Sequence, residues 1–177
     1  MFLFSGALCF PQFYQDDYDV KIERVELARY NTSYLKDVKF QYTFYNRTQK
    51  VLNASGHLLV DVGRDATVTV QFYKFASNEY RFFPVAFDAN ACHEVAHNTF
   101  NLGVMLKNTS NITPCHMKKG LYYIRNLAFN DFSHLPPHFL RGQFKMDAEA
   151  HVSSASLFEI HFYVTVSDKP PKWNKKQ

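Results

Sequence analysis

Five stretches of this chain alternate apolar and polar residues with a period of two, and nothing else in it constrains the fold as tightly. Val38, Phe40, Tyr42 and Phe44 alternate with Lys39, Gln41 and Thr43. Leu58, Val60 and Val62 alternate with His57, Leu59 and Asp61; Val68, Val70 and Phe72 alternate with Thr67, Thr69 and Gln71. Phe144, Met146, Ala148 and Ala150 alternate with Lys145, Asp147, Glu149 and His151. Phe158, Ile160, Phe162, Val164 and Val166 alternate with Glu159, His161, Tyr163 and Thr165. Successive side chains of a strand point to opposite faces, so each stretch predicts a strand with one apolar face. Two further strands are expected, over 20–27 and over 121–129. In the first, Val20 and Ile22 share one parity and Val25 and Leu27 the other, which predicts a bulge at Glu23-Arg24. Seven strands with single-sided apolar faces predict an all-β fold, an antiparallel two-sheet sandwich of immunoglobulin-like type. Ser153-Ser154-Ala155 is expected to turn the last hairpin. The 18 Phe and 11 Tyr agree with a strand-rich chain. The length suits one domain, taken as residues 10–168.

The cysteines speak to compartment. Of three, Cys9 lies in an uncharged apolar leader, and Ala7-x-Cys9 matches the small-residue pair that signal peptidase reads. The leader lacks Lys and Arg and is shorter than the roughly 15–30 residues expected. Residues 1–9 therefore read as a signal-peptide remnant, with an apolar N-terminal strand as the alternative. Removing them leaves Cys92 and Cys115, an even count suited to one disulfide in an oxidising compartment. Asn31, Asn46, Asn53, Asn108 and Asn111 each begin an N-x-[ST] glycosylation sequon, where chance gives roughly one. Asn108 and Asn111 are close enough to obstruct each other. A secreted, extracellular glycoprotein is the expectation.

Other classes are set aside. No apolar run approaches the ~18–20 residues of a membrane span. The net charge of +4 is mild, and no motif of a nucleic-acid-binding fold accompanies it. Lysines gather only in 169–177, which reads as a basic flexible tail.

One segment departs from the strand rhythm. From Phe87 to Asn98 the sequence predicts a short helix, capped by Asp88 and carrying Ala91, Cys92, Val95 and Ala96. Inside it, His93-Glu94-Val95-Ala96-His97 spells the H-E-x-x-H zinc-peptidase motif, in which two imidazoles hold the metal and the glutamate activates water. A catalytic zinc needs a third protein ligand. No histidine follows in the required register, and no glutamate occurs between Glu94 and Glu149. The expectation is a surface turn with two solvated histidines, no metal, no cofactor and no enzyme. A zinc-dependent peptidase using His93, Glu94 and His97 is the alternative.

The punctuation between 78 and 142 carries a family resemblance. It runs Asn78-Glu79-Tyr80-Arg81, Pro84, Cys92, Ser110-Asn111, Cys115 and Gly120 with Tyr122 and Tyr123. It continues with Pro136 and Pro137, then Gly142 leading into a Phe144-bearing strand. This pattern resembles insect secreted proteins of the CheB type, which are similar to ML-domain lipid-recognition proteins. It departs from them where Pro114 precedes the second cysteine and His116 follows it, and in lacking the usual extra sheet-edge disulfide. The resemblance implies a two-sheet sandwich holding a lipid or other hydrophobic small molecule. It also implies a role in insect contact chemosensation, with a chemosensory receptor or channel as partner. The cavity candidates are the inner-face residues Phe40, Tyr42, Phe44, Val60, Phe72, Phe144, Met146, Phe158, Ile160, Phe162 and Val164. An extracellular interaction glycoprotein with a filled core is the remaining alternative.

Overall fold

A computed structural model describes residues 12–170. The expected leader and most of the basic tail lie outside these residues. Among the described residues eight strands follow in chain order: β1 Tyr18–Tyr30, β2 Leu35–Phe44, β3 Lys50–Leu58, β4 Thr67–Ala76, β5 Glu79–Asn90, β6 Gly120–Leu127, β7 Gly142–Val152 and β8 Ala155–Asp168. They form two antiparallel sheets, one of five strands ordered β1-β8-β7-β4-β5 and one of three ordered β2-β3-β6. The alternating faces meet between the sheets, as one-sided apolar strands require.

Local details follow from particular residues. The β1 register slips against β8 between Ile22 and Arg24, where the parity change predicts it. Ser153 and Ser154 both take positive φ, 48° and 69°, and close the β7–β8 hairpin. β5 was not foreseen, because Phe82-Phe83-Pro84 interrupts its alternation. The strand lies at a sheet edge, where a proline is tolerated. The β4–β5 ladder shifts beside Pro84, between Gln71 and Tyr73. The Gln71 amide donates to the carbonyls of Phe83 (2.8 Å) and Val85 (3.2 Å) there.

Two expectations need correction. The strand expected over Leu58, Val60 and Val62 instead runs earlier, as β3, and stops at Leu58; Val62 makes only an isolated bridge with Met117. Asp88 caps no helix. It stays in β5 and accepts from the Thr69 hydroxyl at 2.6 Å. The helical excursion begins with α1 (Ala91–Ala96), capped by the Asn90 side chain. It continues through a 3-10 turn (Thr99–Asn101) into α2 (Leu102–Thr109). Gly103 allows α2 to start hard against α1: a β-carbon there would stand 2.5 Å from the Val95 carbonyl oxygen. The Cys92–Cys115 disulfide ties α1 to the segment that enters β6.

The interior divides into two clusters. At one end Tyr18, Phe144, Val164 and Val166 are buried together, with Phe83, Leu135 and Phe139 packed against them. Leu135 and Phe139 come from the long β6–β7 connection, which plugs this end of the sandwich. The connection is pinned by the Tyr18 hydroxyl donating to the Pro136 carbonyl at 2.6 Å and by the Gln15 amide donating to the Phe132 carbonyl at 2.8 Å. Burial pushes the Tyr18 phenol up to about 12, with the Asp17 charge adding to it. At the other end a second cluster, Leu58, Val62, Val152 and Leu157, borders open space.

Candidate functional site

That open space is a partly open cavity of about 270 Å³ between the sheets. Its existence follows from side-chain size. Packed sheets stand ~10 Å apart, and the gap must be filled from their inner faces. At the plugged end the filling is Phe144, Phe83 and Phe139, whose rings meet edge to face at 5.4–5.8 Å. At the open end β3 presents Leu52, Ala54, Gly56 and Leu58, and β7 presents Ala150 and Val152. Alanine and glycine cannot span the separation that the phenylalanines set, and the loop residues that reach this end, among them Val62, Ile112, Pro114 and Met117, line the space without filling it.

The walls are almost wholly apolar. Leu27 of β1, Val38 and Phe40 of β2 and Phe158 and Ile160 of β8 face one another across the space. Ile112, Pro114 and Met117, from the segment beside the disulfide, line another part of the wall. The few polar residues present are Lys39, Ser55, Thr67, His151 and the three tyrosines 30, 122 and 123. The Tyr122 hydroxyl is already engaged, donating to the Lys118 carbonyl at 2.9 Å. Such walls offer a guest dispersion contacts and relief from water, with little to fix a polar group.

The residues expected to form a cavity fall into distinct places. Phe40, Phe158 and Ile160 line it. Tyr42 and Phe162 lie one inward step further along their strands, joined across the sheets by Phe129 at ring distances of 6.3 and 6.0 Å. Burial, with the Glu23 charge beside it, holds the Tyr42 phenol above its ordinary range. Phe144 and Val164 are packed into the plugged end, with Met146 against them. Phe72 is buried there too, 6.0 Å from the Phe139 ring. Val60 packs on the second cluster. Phe44 is 66 % exposed and lies under the Lys50 ammonium. The β3 residues Leu52, Ala54 and Gly56 were not among the candidates. Their shared parity with Leu58 was the available signal, muted by the small side chains.

The five sequon asparagines are distributed over β1–β2, β2–β3, β3 itself, α2 and the approach to β6. Asn46 and Asn108 are exposed. Asn46 accepts from the Thr48 backbone N–H at 3.0 Å, and Asn31 from that of Ser33 at 2.9 Å. Asn53 accepts from the Asn126 backbone N–H at 2.9 Å. Asn111 pairs with β6, donating to the Leu121 carbonyl and accepting from the Tyr123 N–H.

The H-E-x-x-H residues form a separate group on α1. Glu94 is buried at 6 % exposure, and its carboxylate faces His93 Nδ1 at 3.0 Å. His97 closes the helix with its Nδ1 2.9 Å from the His93 carbonyl. Among the described residues, the one trio of potential ligand atoms within 4.8 Å of each other is Asp147, Glu159 and His161. It lies on the outer face of the five-stranded sheet. There Lys145 already pairs with Asp147 at 3.0 Å and Arg29 with Glu159 at 2.5 Å.

Among the described residues no helix is long and apolar enough to cross a membrane. No family model matches the chain, and no curated protein matches it.

Proposed function

We propose that this protein is a non-enzymatic carrier that holds one hydrophobic small molecule or lipid chain between its sheets. The cavity carries this reading. Its 270 Å³ is well above the ~150 Å³ of an engineered apolar cavity that stays dry and binds benzene. Each buried methylene of a guest gains roughly 0.8 kcal/mol, so a medium-length acyl or alkyl chain suits the space. The scarcity of hydrogen-bonding groups in the wall favours a guest whose buried part is hydrocarbon.

The disulfide and the sequons support secretion as the setting in which the carrier works. The two-sheet architecture and the 78–142 punctuation support kinship with ML-type lipid-recognition proteins of the CheB kind. On this proposal a chemosensory receptor or channel receives the loaded carrier.

Native mass spectrometry of the protein secreted from insect cells tests the carrier reading. The expected spectrum shows a co-purifying hydrophobic species in one-to-one ratio, released by mild organic extraction. A protein of bare polypeptide-plus-glycan mass that also takes up no added fatty acid or alkane would reverse the reading in favour of an interaction glycoprotein.

A further inference from the structure

Resting on the carrier reading, we propose that the cavity selects for a hydrocarbon without a head group, an alkane or alkene chain, and against the fatty acid of the same length. Each polar side chain at the wall sends its polar end elsewhere. Phe40, Ala54 and Ile124 stand opposite one another across β2, β3 and β6 and line the cavity. Lys39, Ser55 and Tyr123 form the neighbouring row, one residue away on each strand. Successive side chains of a strand alternate faces, so this row projects to the outer face of the three-stranded sheet. Lys39 is exposed, and the Tyr123 ring lies under the Arg125 guanidinium at 4.3 Å.

The five-stranded sheet repeats the pattern. Val68 and Ala150 stand opposite each other and line the cavity, and Thr67 and His151 form the next pair along. His151 turns its Nε2 toward Glu149, 3.6 Å away on the outer face. Two phenols remain on the inner side. Tyr122, opposite Gly56, spends its hydroxyl on the Lys118 carbonyl at 2.9 Å. Tyr30, opposite Phe158, is 40 % exposed and so stands at the rim. The buried polar side-chain atoms without a hydrogen-bond partner among the described residues belong to Asp17, His57, Glu94 and Asp147, none of which lines the cavity. Among the described residues, then, no side-chain cation faces a guest, and the inner side offers it only a phenol at the rim.

A pocket built to orient a polar ligand places a few convergent polar groups among its apolar walls. This wall has none at depth. A carboxylate drawn into it loses its hydration and gains no counter-charge. The head group of a fatty acid must therefore stay at the open side of the cavity, where water keeps it, and it holds its chain back by the same distance. A chain without a head group has no such tether and sinks to the depth that packs best. Each buried methylene is worth a roughly four-fold gain in affinity. One or two methylenes of lost depth thus cost the acid about ten-fold against the alkane of equal length.

The test is displacement of a fluorescent fatty-acid probe from delipidated wild-type protein by decane, methyl decanoate and decanoate, each below its solubility limit. At pH 7 decane should bind tightest, methyl decanoate next and decanoate weakest, with about ten-fold between the extremes. The same series at pH 4, with the probe's own affinity measured at each pH, reads the sign of the head-group effect. Carboxyl groups protonate in about this range, so decanoate should tighten toward the ester while decane stays unchanged. A cation holding the head group would give the opposite sign, because protonation would remove its partner. Decanoate that binds as tightly as decane at pH 7, or more weakly at pH 4 than at pH 7, overturns the selectivity and leaves a carrier of another class. If neither the probe nor any of the three compounds binds, the carrier reading falls and the selectivity with it.

Discussion

On the outer face of the five-stranded sheet, Glu149 of β7 stands directly opposite Glu159 of β8. Like charges across a ladder repel. Arg29 reaches over from β1 and bridges both, with Nε 2.5 Å from Glu159 and a terminal nitrogen 2.5 Å from Glu149. A second register slip in β1, between Leu27 and Arg29, accompanies the change that puts Arg29 on this face. The Glu159 carboxyl is held below its ordinary range, first by the His161 hydrogen bond and then by the Arg29 bond and charge. An acid whose folded pKa is lowered stabilises the fold above its unfolded pKa, and that stabilisation fades as pH falls through the folded value. Arg29→Gln should therefore lower the melting temperature at pH 7. The gap to wild type should close below about pH 4, where glutamates begin to protonate. Thermal melts of both proteins across pH 3–7 check this; a gap as wide at pH 3 as at pH 7 would mean that Arg29 acts through packing.

At the scale of elements, the β7–β8 hairpin turns on two serines in left-handed conformation. Ser153 has a use for its side chain, donating to Asp65 at 2.8 Å. Among the described residues the Ser154 side chain, at φ 69°, makes no such bond. A left-handed non-glycine residue costs roughly 1–2 kcal/mol, so Ser154→Gly should raise stability by about 1 kcal/mol in denaturant melts. The disulfide acts on the long excursion between β5 and β6. Replacing Cys92 and Cys115 together by alanine should cost ~3 kcal/mol through the freed loop, measured the same way. Elements were legible where large residues alternate. β2, β4 and β8 announce themselves through Phe, Tyr, Val and Ile at every second position, and β7 through Phe144, Met146, Ala148 and Ala150. β3 did not, since Asn53, Ala54, Ser55 and Gly56 give its centre almost no apolar contrast. β5 was hidden by the adjacent Phe82 and Phe83 and by Pro84. The short α1 was foreseen, while α2 carries a weaker apolar pattern and follows three residues with positive φ.

For the whole molecule, what matters is which end of the sandwich is filled. The alternation in β7 and β8 reads the same at Phe144 and Val164 as at Ala150 and Ile160, so it cannot tell the two ends apart. The difference comes from Leu135 and Phe139, in a connection with no periodicity to read, and from the small residues of β3. Phe40, Phe158 and Ile160 were therefore recognisable as wall candidates, whereas the limits of the cavity were not. The two ends should respond oppositely to added bulk. Val164→Phe lies in the packed cluster and should cost about 1–3 kcal/mol by overpacking, with little direct effect on a guest. Ala54→Phe places its ring in open space and should leave stability nearly unchanged. The most direct measurement is the affinity of a fluorescent fatty-acid probe for wild type and these two variants, with thermal melts alongside. A carrier gives tight binding in wild type, at least ten-fold weaker binding in Ala54→Phe without loss of stability, and retained binding in folded Val164→Phe. No probe binding in wild type, together with a large destabilisation by Ala54→Phe, would contradict the account and make this a filled sandwich.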